Sequence, residues 1–111
     1  MLTNEIAKKA NVHPNTVRLY EKWGYISPVL RKQNGYREYT ETHLKQMYIA
    51  RLAFSQEFIQ NNLRKMATHI VRFSGQGNFL ESRNAALIYF KFLQSEYDYA
   101  KKAVQFSTNI L

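Results

Sequence analysis

Leu2, Ile6, Ala7 and Ala10 recur at helical spacing, with polar Asn4, Glu5, Lys8 and Lys9 between them. The pattern predicts a short amphipathic helix over about Thr3–Ala10, with Thr3 as its N-cap. Asn11-Val12-His13 interrupts it. Pro14 then suits the first turn of a second helix, where its missing N–H costs nothing. Val17 and Tyr20 carry the period to about Trp23, and Gly24 is placed to end it. Two short helices joined by a tight turn give a helix-turn-helix outline.

After Tyr25 the period changes. Ser27-Pro28 breaks helix. Val29-Leu30-Arg31 and Tyr36-Arg37-Glu38-Tyr39 are β-type runs around Gln33-Asn34-Gly35. Asn-Gly predicts a type I′ turn, which needs positive φ at both central residues. A basic hairpin, or wing, therefore follows the second helix. Thr40 is a good N-cap for a third helix over about Glu41–Ala53, with Leu44, Met47, Tyr48 and Leu52 on one face. Ser55 is placed to cap a fourth over about Gln56–Phe73, with Ile59, Leu63, Met66, Ile70 and Phe73 as its apolar stripe. A loop with two glycines, Ser74 to Asn78, precedes a last helix over about Glu81–Phe106. In that helix Ala86, Phe90, Leu93, Tyr97, Ala100 and Val104 are spaced 4, 3, 4, 3 and 4, a heptad seam. Such a seam needs a partner, and a second copy of the same helix is the economical one. The alternative is that it folds back on its own domain.

The expected class is therefore mostly α: a winged helix-turn-helix over residues 1–74, followed by a long dimerisation helix over residues 79–111. Charge then adds a partner. The chain of 111 residues carries +8, which points to an anionic ligand. Residues 1–52 hold nine basic and four acidic side chains, so most of the excess sits on the helix-turn-helix and wing. There is no cysteine, so thiolate chemistry and Cys-ligated metal are absent. No apolar run approaches the ~20 residues of a membrane span, and no signal peptide is visible, so a cytoplasmic protein with no membrane partner is expected.

Asn4-Glu5-Ile6-Ala7, Val12-His13-Pro14-Asn15-Thr16-Val17-Arg18-Leu19-Tyr20-Glu21, Gly24-Tyr25-Ile26-Ser27-Pro28 and Asn34-Gly35-Tyr36-Arg37-Glu38-Tyr39-Thr40 follow one another in a specific order. Over about the first fifty residues this order and spacing resembles the MerR family of bacterial transcription regulators. The resemblance implies a homodimer with antiparallel dimerising helices, bound to a palindromic promoter operator in double-stranded DNA. It also implies that the DNA is bent and untwisted so that RNA polymerase engages both promoter hexamers. The sequence departs from the family in four places. Leu19 stands where an aromatic residue is frequent. His13 and Asn15 replace a common Ser and Arg. The segment Ile49–Ser55 is shortened, so a second wing is expected to be reshaped. The chain also stops soon after the dimerising helix, where many members continue into an effector-binding domain.

Helix N-termini in a groove present side chains and free N–H groups to bases and phosphates. At the start of the second helix, Pro14, Asn15 and Thr16 are the candidates. Arg18 shares a face with Asn15 and can reach G O6/N7 or a phosphate. Tyr20 either places its hydroxyl on a phosphate or packs in the core. On the hairpin, Arg31, Lys32, Tyr36 and Arg37 cluster around the turn; the resemblance implies that Tyr36 and Arg37 touch the DNA backbone. Arg64 and Lys65 on the fourth helix are candidate phosphate contacts. His13, His43 and His69 are scattered, no catalytic or phosphate-loop motif occurs, and neither an enzyme nor a cofactor is expected. Two other classes fit the same outline: an architectural, excisionase-like DNA-binding protein, and a module whose last helix recruits a different protein.

Overall fold

The computed structural model describes residues 1–54 and 61–111. In chain order the elements are α1 (Thr3–Ala10), α2 (Pro14–Lys22), β1 (Leu30–Arg31), β2 (Arg37–Glu38), α3 (Glu41–Ala53), α4 (Asn61–Gly75) and α5 (Phe79–Ile110). This is a winged helix-turn-helix followed by a long C-terminal helix. Ser55, Gln56 and Ile59, assigned above to the start of the fourth helix, lie outside the described residues.

The first helix spans the expected residues, but its start is capped differently from the simplest reading. Thr3 is not the N-cap. The chain enters α1 through extended Leu2 (φ −80°, ψ 166°), and no side chain caps the turn. The Thr3 hydroxyl instead donates to the Tyr39 hydroxyl, 3.5 Å away, and so ties α1 to the end of the wing. Asn11 closes α1 in the left-handed region (φ 58°), a conformation Asn tolerates because its short amide bonds locally. Gly24 takes φ +76° just after α2, as its position suggested.

The wing is a short antiparallel pair with Leu30 opposite Glu38 and Arg31 opposite Arg37. Its turn is not type I′. Gly35 has φ +87°, while Asn34 is absent from the positive-φ residues. The Gly35 N–H donates to Lys32 O (2.9 Å), and the Lys32 N–H donates to Tyr36 O (2.7 Å). That is a three-residue loop, a type I turn completed by a left-handed glycine. The Asn34 carboxamide oxygen accepts from the Tyr36 N–H (3.2 Å), a local bond that type I′ geometry would forgo.

Thr40 caps α3 reciprocally with His43. The Thr40 N–H donates to His43 Nδ1 (2.9 Å), and the His43 N–H returns to Thr40 Oγ1 (3.4 Å). With Nδ1 accepting, Nε2 carries the ring hydrogen and donates to Ser27 O (3.1 Å). The cap thus pins the chain between α2 and the wing. Behind it, Ile6, Ala7 and Ala10 of α1, Val17 of α2, Ile26, Tyr39, and Leu44 and Met47 of α3 form one core.

On α4 the buried positions include Ala67, Ile70, Val71, Ser74 and Gly75, while Leu63, Met66 and Phe73 are only partly covered. The buried arc is rotated from the expected stripe because α4 is gripped on two sides, by α3 and by α5. α5 begins at Phe79, two residues earlier than expected. Asn78 is its N-cap and accepts from the Glu81 N–H at 3.2 Å. The Ser82 hydroxyl donates to Ile70 O (2.8 Å), and Ala85, Ala86 and Tyr89 are half covered. Beyond Tyr89, α5 is exposed at every residue. Its 32 residues make the molecule 70 Å long. Among the described residues no helix is long and apolar enough to cross a membrane.

Candidate nucleic-acid interface

The outer face of α2 is built by a cap the sequence did not advertise. His13 is the N-cap, and its Nδ1 accepts from the Asn15 N–H at 3.0 Å. The Thr16 N–H is taken by His13 O (2.9 Å), and Pro14 has no N–H. This first turn therefore offers side chains, not the free backbone donors anticipated for a helix N-terminus. Asn15 and Arg18 are exposed, with Pro14 and Thr16 half exposed beside them. Arg18 Nη1 donates to Asn15 Oδ1 (2.7 Å), which holds the guanidinium along the helix face one turn from its start. The i, i+3 spacing had placed these two together.

The wing is braced against the same helix by Glu21. One carboxylate oxygen accepts from the Val29 N–H (3.0 Å) and the other from Arg37 Nε (3.3 Å). Both ends of the ion pair are about three-quarters covered, with 27% and 22% of the side chains exposed. At the tip, Arg31 Nη1 donates to Gly35 O (2.8 Å) and Lys32 Nζ lies 3.2 Å from Glu38 Oε2. That hydrogen bond from Lys32 is the main reason the Glu38 carboxyl is held below its ordinary range. Tyr36 projects from the tip, 63% exposed.

Two open grooves result, and both are flanked by Arg18 and Arg37. Asn15, Leu19, Glu21, Lys22 and Pro28 complete one; Leu2, Thr3, Asn4 and Tyr36 complete the other. The structure thus brings Asn15, Arg18, Tyr36 and Arg37 to one surface, with the first turns of α1 and α2 beside the wing. Among the described residues Arg18, Lys22 and Arg31 form no ion pair, whereas Lys32 and Arg37 each do. The free charge is thus on α2 and β1, while the paired cations set the shape of the wing.

Other candidates lie elsewhere. Tyr20 is half buried on the opposite side of α2, with ring centroids 5.4 Å from Tyr25 and 6.4 Å from Trp23. Burial pushes its hydroxyl pKa up, Tyr25 adds to this, and Arg51 opposes it. Arg64 and Lys65 are exposed on α4 and line neither groove. Of the seam residues, Ala86 is half covered, and Phe90, Leu93, Tyr97, Ala100 and Val104 are all exposed. Reading the sequence missed His13 and Glu21. An acid in the last turn of a helix with a basic outer face was the signal for Glu21; His13 gave none, because histidine is not among the preferred N-caps.

Comparison with known proteins fits this geometry. Residues 3–39, which contain α1, α2 and the wing, match the model for MerR family regulatory proteins. This segment is a MerR-family domain. Its relatives include HTH-type transcriptional regulator CueR of Salmonella typhi, 40% identical over 53 residues, covering 48% of this chain and 38% of that one. They also include HTH-type transcriptional regulator ZntR of Escherichia coli K12, 36% identical over 62 residues, covering 56% of this chain and 44% of that one. The chain thus spans less than half the length of the curated relatives it matches. Among solved structures, a MerR family transcriptional regulator from Listeria monocytogenes superposes with a TM-score of 0.59 at 16% identity, covering 92% of this chain and 79% of that one. HiNmlR, a MerR family regulator lacking the sensor domain, solved bound to promoter DNA, gives 0.50 at 20% identity, over 90% and 83%. These two likenesses carry the fold: a MerR-type winged helix with a long helix behind it.

Proposed function

We propose that this chain is a sequence-specific, DNA-binding transcription regulator that acts as a homodimer on a palindromic promoter operator. The observation that carries the reading is the meeting of Arg18, on the exposed face of α2, with Arg37 and Tyr36 of the wing along shared grooves. A helix offering Asn15 and Arg18 suits base edges in a major groove. A wing offering Arg31, Tyr36 and Arg37 suits the flanking phosphates. HiNmlR, with the same fold, was solved on promoter DNA, which supports this choice of ligand.

In this reading residues 1–74 are the DNA-binding unit and residues 79–111 the dimerisation helix, paired antiparallel through Ala86, Phe90, Leu93, Tyr97, Ala100 and Val104. The exposure of five of those six residues in a single copy supports pairing. The dimer distorts the promoter so that RNA polymerase engages it, at an elastic cost of roughly 1–6 kcal/mol offset by phosphate contacts from two heads. Pro14 and Thr16 position the recognition face. Lys32, Arg64 and Lys65 add electrostatic attraction, and Tyr20 acts from within the head, as a prop under α2. No cofactor takes part, and the cytoplasm is the expected site of action.

The test is selection from a random duplex pool with the full chain, followed by salt titration on the enriched sequence. Enrichment of an inverted repeat, with log affinity falling about 0.9 per phosphate contact per unit of log salt, is expected. A pool that stays random would refute the reading.

A further inference from the structure

The end of α4 docks directly on the turn that follows α2. Gly75 sits against the Gly24–Tyr25 backbone so closely that a Cβ there would overlap the Gly24 carbonyl oxygen and come within 2.8 Å of the Tyr25 carbonyl carbon. Glycine is needed here for approach, not for φ. Around this contact lies a small polar clasp. Gln46 of α3 is fully buried. Its carbonyl oxygen accepts from the Ser27 N–H (2.8 Å), and its amide nitrogen donates to Ser27 Oγ and to Ser74 O, both at 2.8 Å. Ser27 Oγ in turn donates to Gly75 O at 2.7 Å. From Ser74 and Gly75 the chain turns through Gly77 into α5, which Ser82 fastens to α4 through Ile70 O.

One short path thus runs from the C-terminal end of α2, through backbone contact and four hydrogen bonds, to the base of α5. The four hydrogen bonds make the geometry of this contact directional in a way that apolar packing alone does not. We infer that the Gly24–Gly75 contact, clasped by Ser27, Gln46 and Ser74, fixes the angle between α2 and α5 and thereby sets which half-site spacing a dimer accepts on duplex DNA. The inference rests on the DNA-binding reading above. The lever is long. A displacement of roughly 1 Å at a helix contact about 10 Å from the neighbouring axis turns α5 by about 6°. Over a helix of about 48 Å that moves the far end by about 5 Å, more than one base-pair step of about 3.4 Å.

The experiment uses the full chain, a random duplex pool, and then the enriched half-site placed in duplexes whose spacer grows or shrinks one base pair at a time. Wild type is expected to prefer a single spacing. Gly75→Ala pushes α4 away from the turn and is expected to move the optimum by about one base pair, a rotation of about 34° on the duplex. Ser27→Ala opens the clasp without adding bulk and is expected to flatten the preference across neighbouring spacings. Binding to a duplex with one half-site is expected to stay within about twofold of wild type for both. If Gly75→Ala fails to fold, Ser27→Ala decides alone. Retention of the wild-type spacing profile overturns the inference and leaves the DNA-binding reading intact. An equal loss on the single half-site also overturns it, because the clasp would then serve the head alone. If wild type enriches no duplex, the DNA-binding reading falls first and this inference with it.

Discussion

Truncating Glu21 to Ala tests whether the wing is held to α2 by one carboxylate. The substitution removes the acceptor for the partly buried Val29 N–H (3.0 Å) and the partner of Arg37 (3.3 Å). A buried donor left without its acceptor costs about 1–3 kcal/mol. The ion pair is a quarter exposed, and solvent screening limits it to about 0.5–1 kcal/mol. Together Glu21→Ala should lose about 2 kcal/mol, some of it recovered where water reaches Val29. Glu21→Gln keeps an oxygen for the Val29 N–H and should lose under about 1 kcal/mol. Urea unfolding followed by circular dichroism, at one protein concentration, measures both; with a slope of about 1–2 kcal/mol per molar, Glu21→Ala should shift the midpoint by about 1–2 M. A midpoint for Glu21→Ala within error of wild type refutes the brace. Equal losses in the two variants would show that charge, and not the acceptor, is what matters.

Three further outcomes are expected. Arg18→Ala should cost about 1–3 kcal/mol on the selected operator and relax specificity at one position, measured by anisotropy across single-base variants; unchanged affinity removes Arg18 from base reading. Leu93→Glu places a charge in the exposed seam of α5 and should give monomers in sedimentation, whereas a persistent dimer would show that the interface lies elsewhere. Glu38, whose carboxyl is held low by the Lys32 hydrogen bond, contributes stability that is full above the ordinary carboxylate range of about 4.3 and is lost as pH falls through its lower folded value. Glu38→Gln should therefore remove part of the acid limb of the stability–pH profile, and an identical limb would mean the pair does not act on the fold.

Much of this architecture was written locally in the chain. The apolar spacing of Ile6, Ala7 and Ala10, the Pro14 start, the Gly24 stop and the Thr40 cap each act over a few residues, and the structure places them where a local reading does. What local reading could not see is contact between distant segments. Gln46 belongs to no apolar stripe read from the sequence, yet it is fully buried because Ser27 and Ser74 satisfy it from 19 and 28 residues away. Glu21 reads as an isolated acid until the wing folds back and supplies Val29 and Arg37. The hairpin turn failed for a different reason: Asn-Gly admits two geometries, and the Asn34–Tyr36 side-chain bond selects the longer loop. On the interface, the Asn15–Arg18 pair followed from helix spacing alone. The side of α2 taken by Tyr20 depended on the aromatic neighbours Trp23 and Tyr25, which its own spacing did not reveal.

The outer part of α5 leaves Phe90, Tyr97, Val104, Phe106 and Ile110 each at least 60% exposed. If pairing covers them, the amount of protein becomes a signal in its own right. Melting temperature would climb with concentration, because the partner acts as a stabilising ligand. Below the dissociation constant of the pair, occupancy of a two-headed site would grow as the square of the chain concentration. A modest change in synthesis would then be read by the promoter as a sharper one, without any small molecule being sensed.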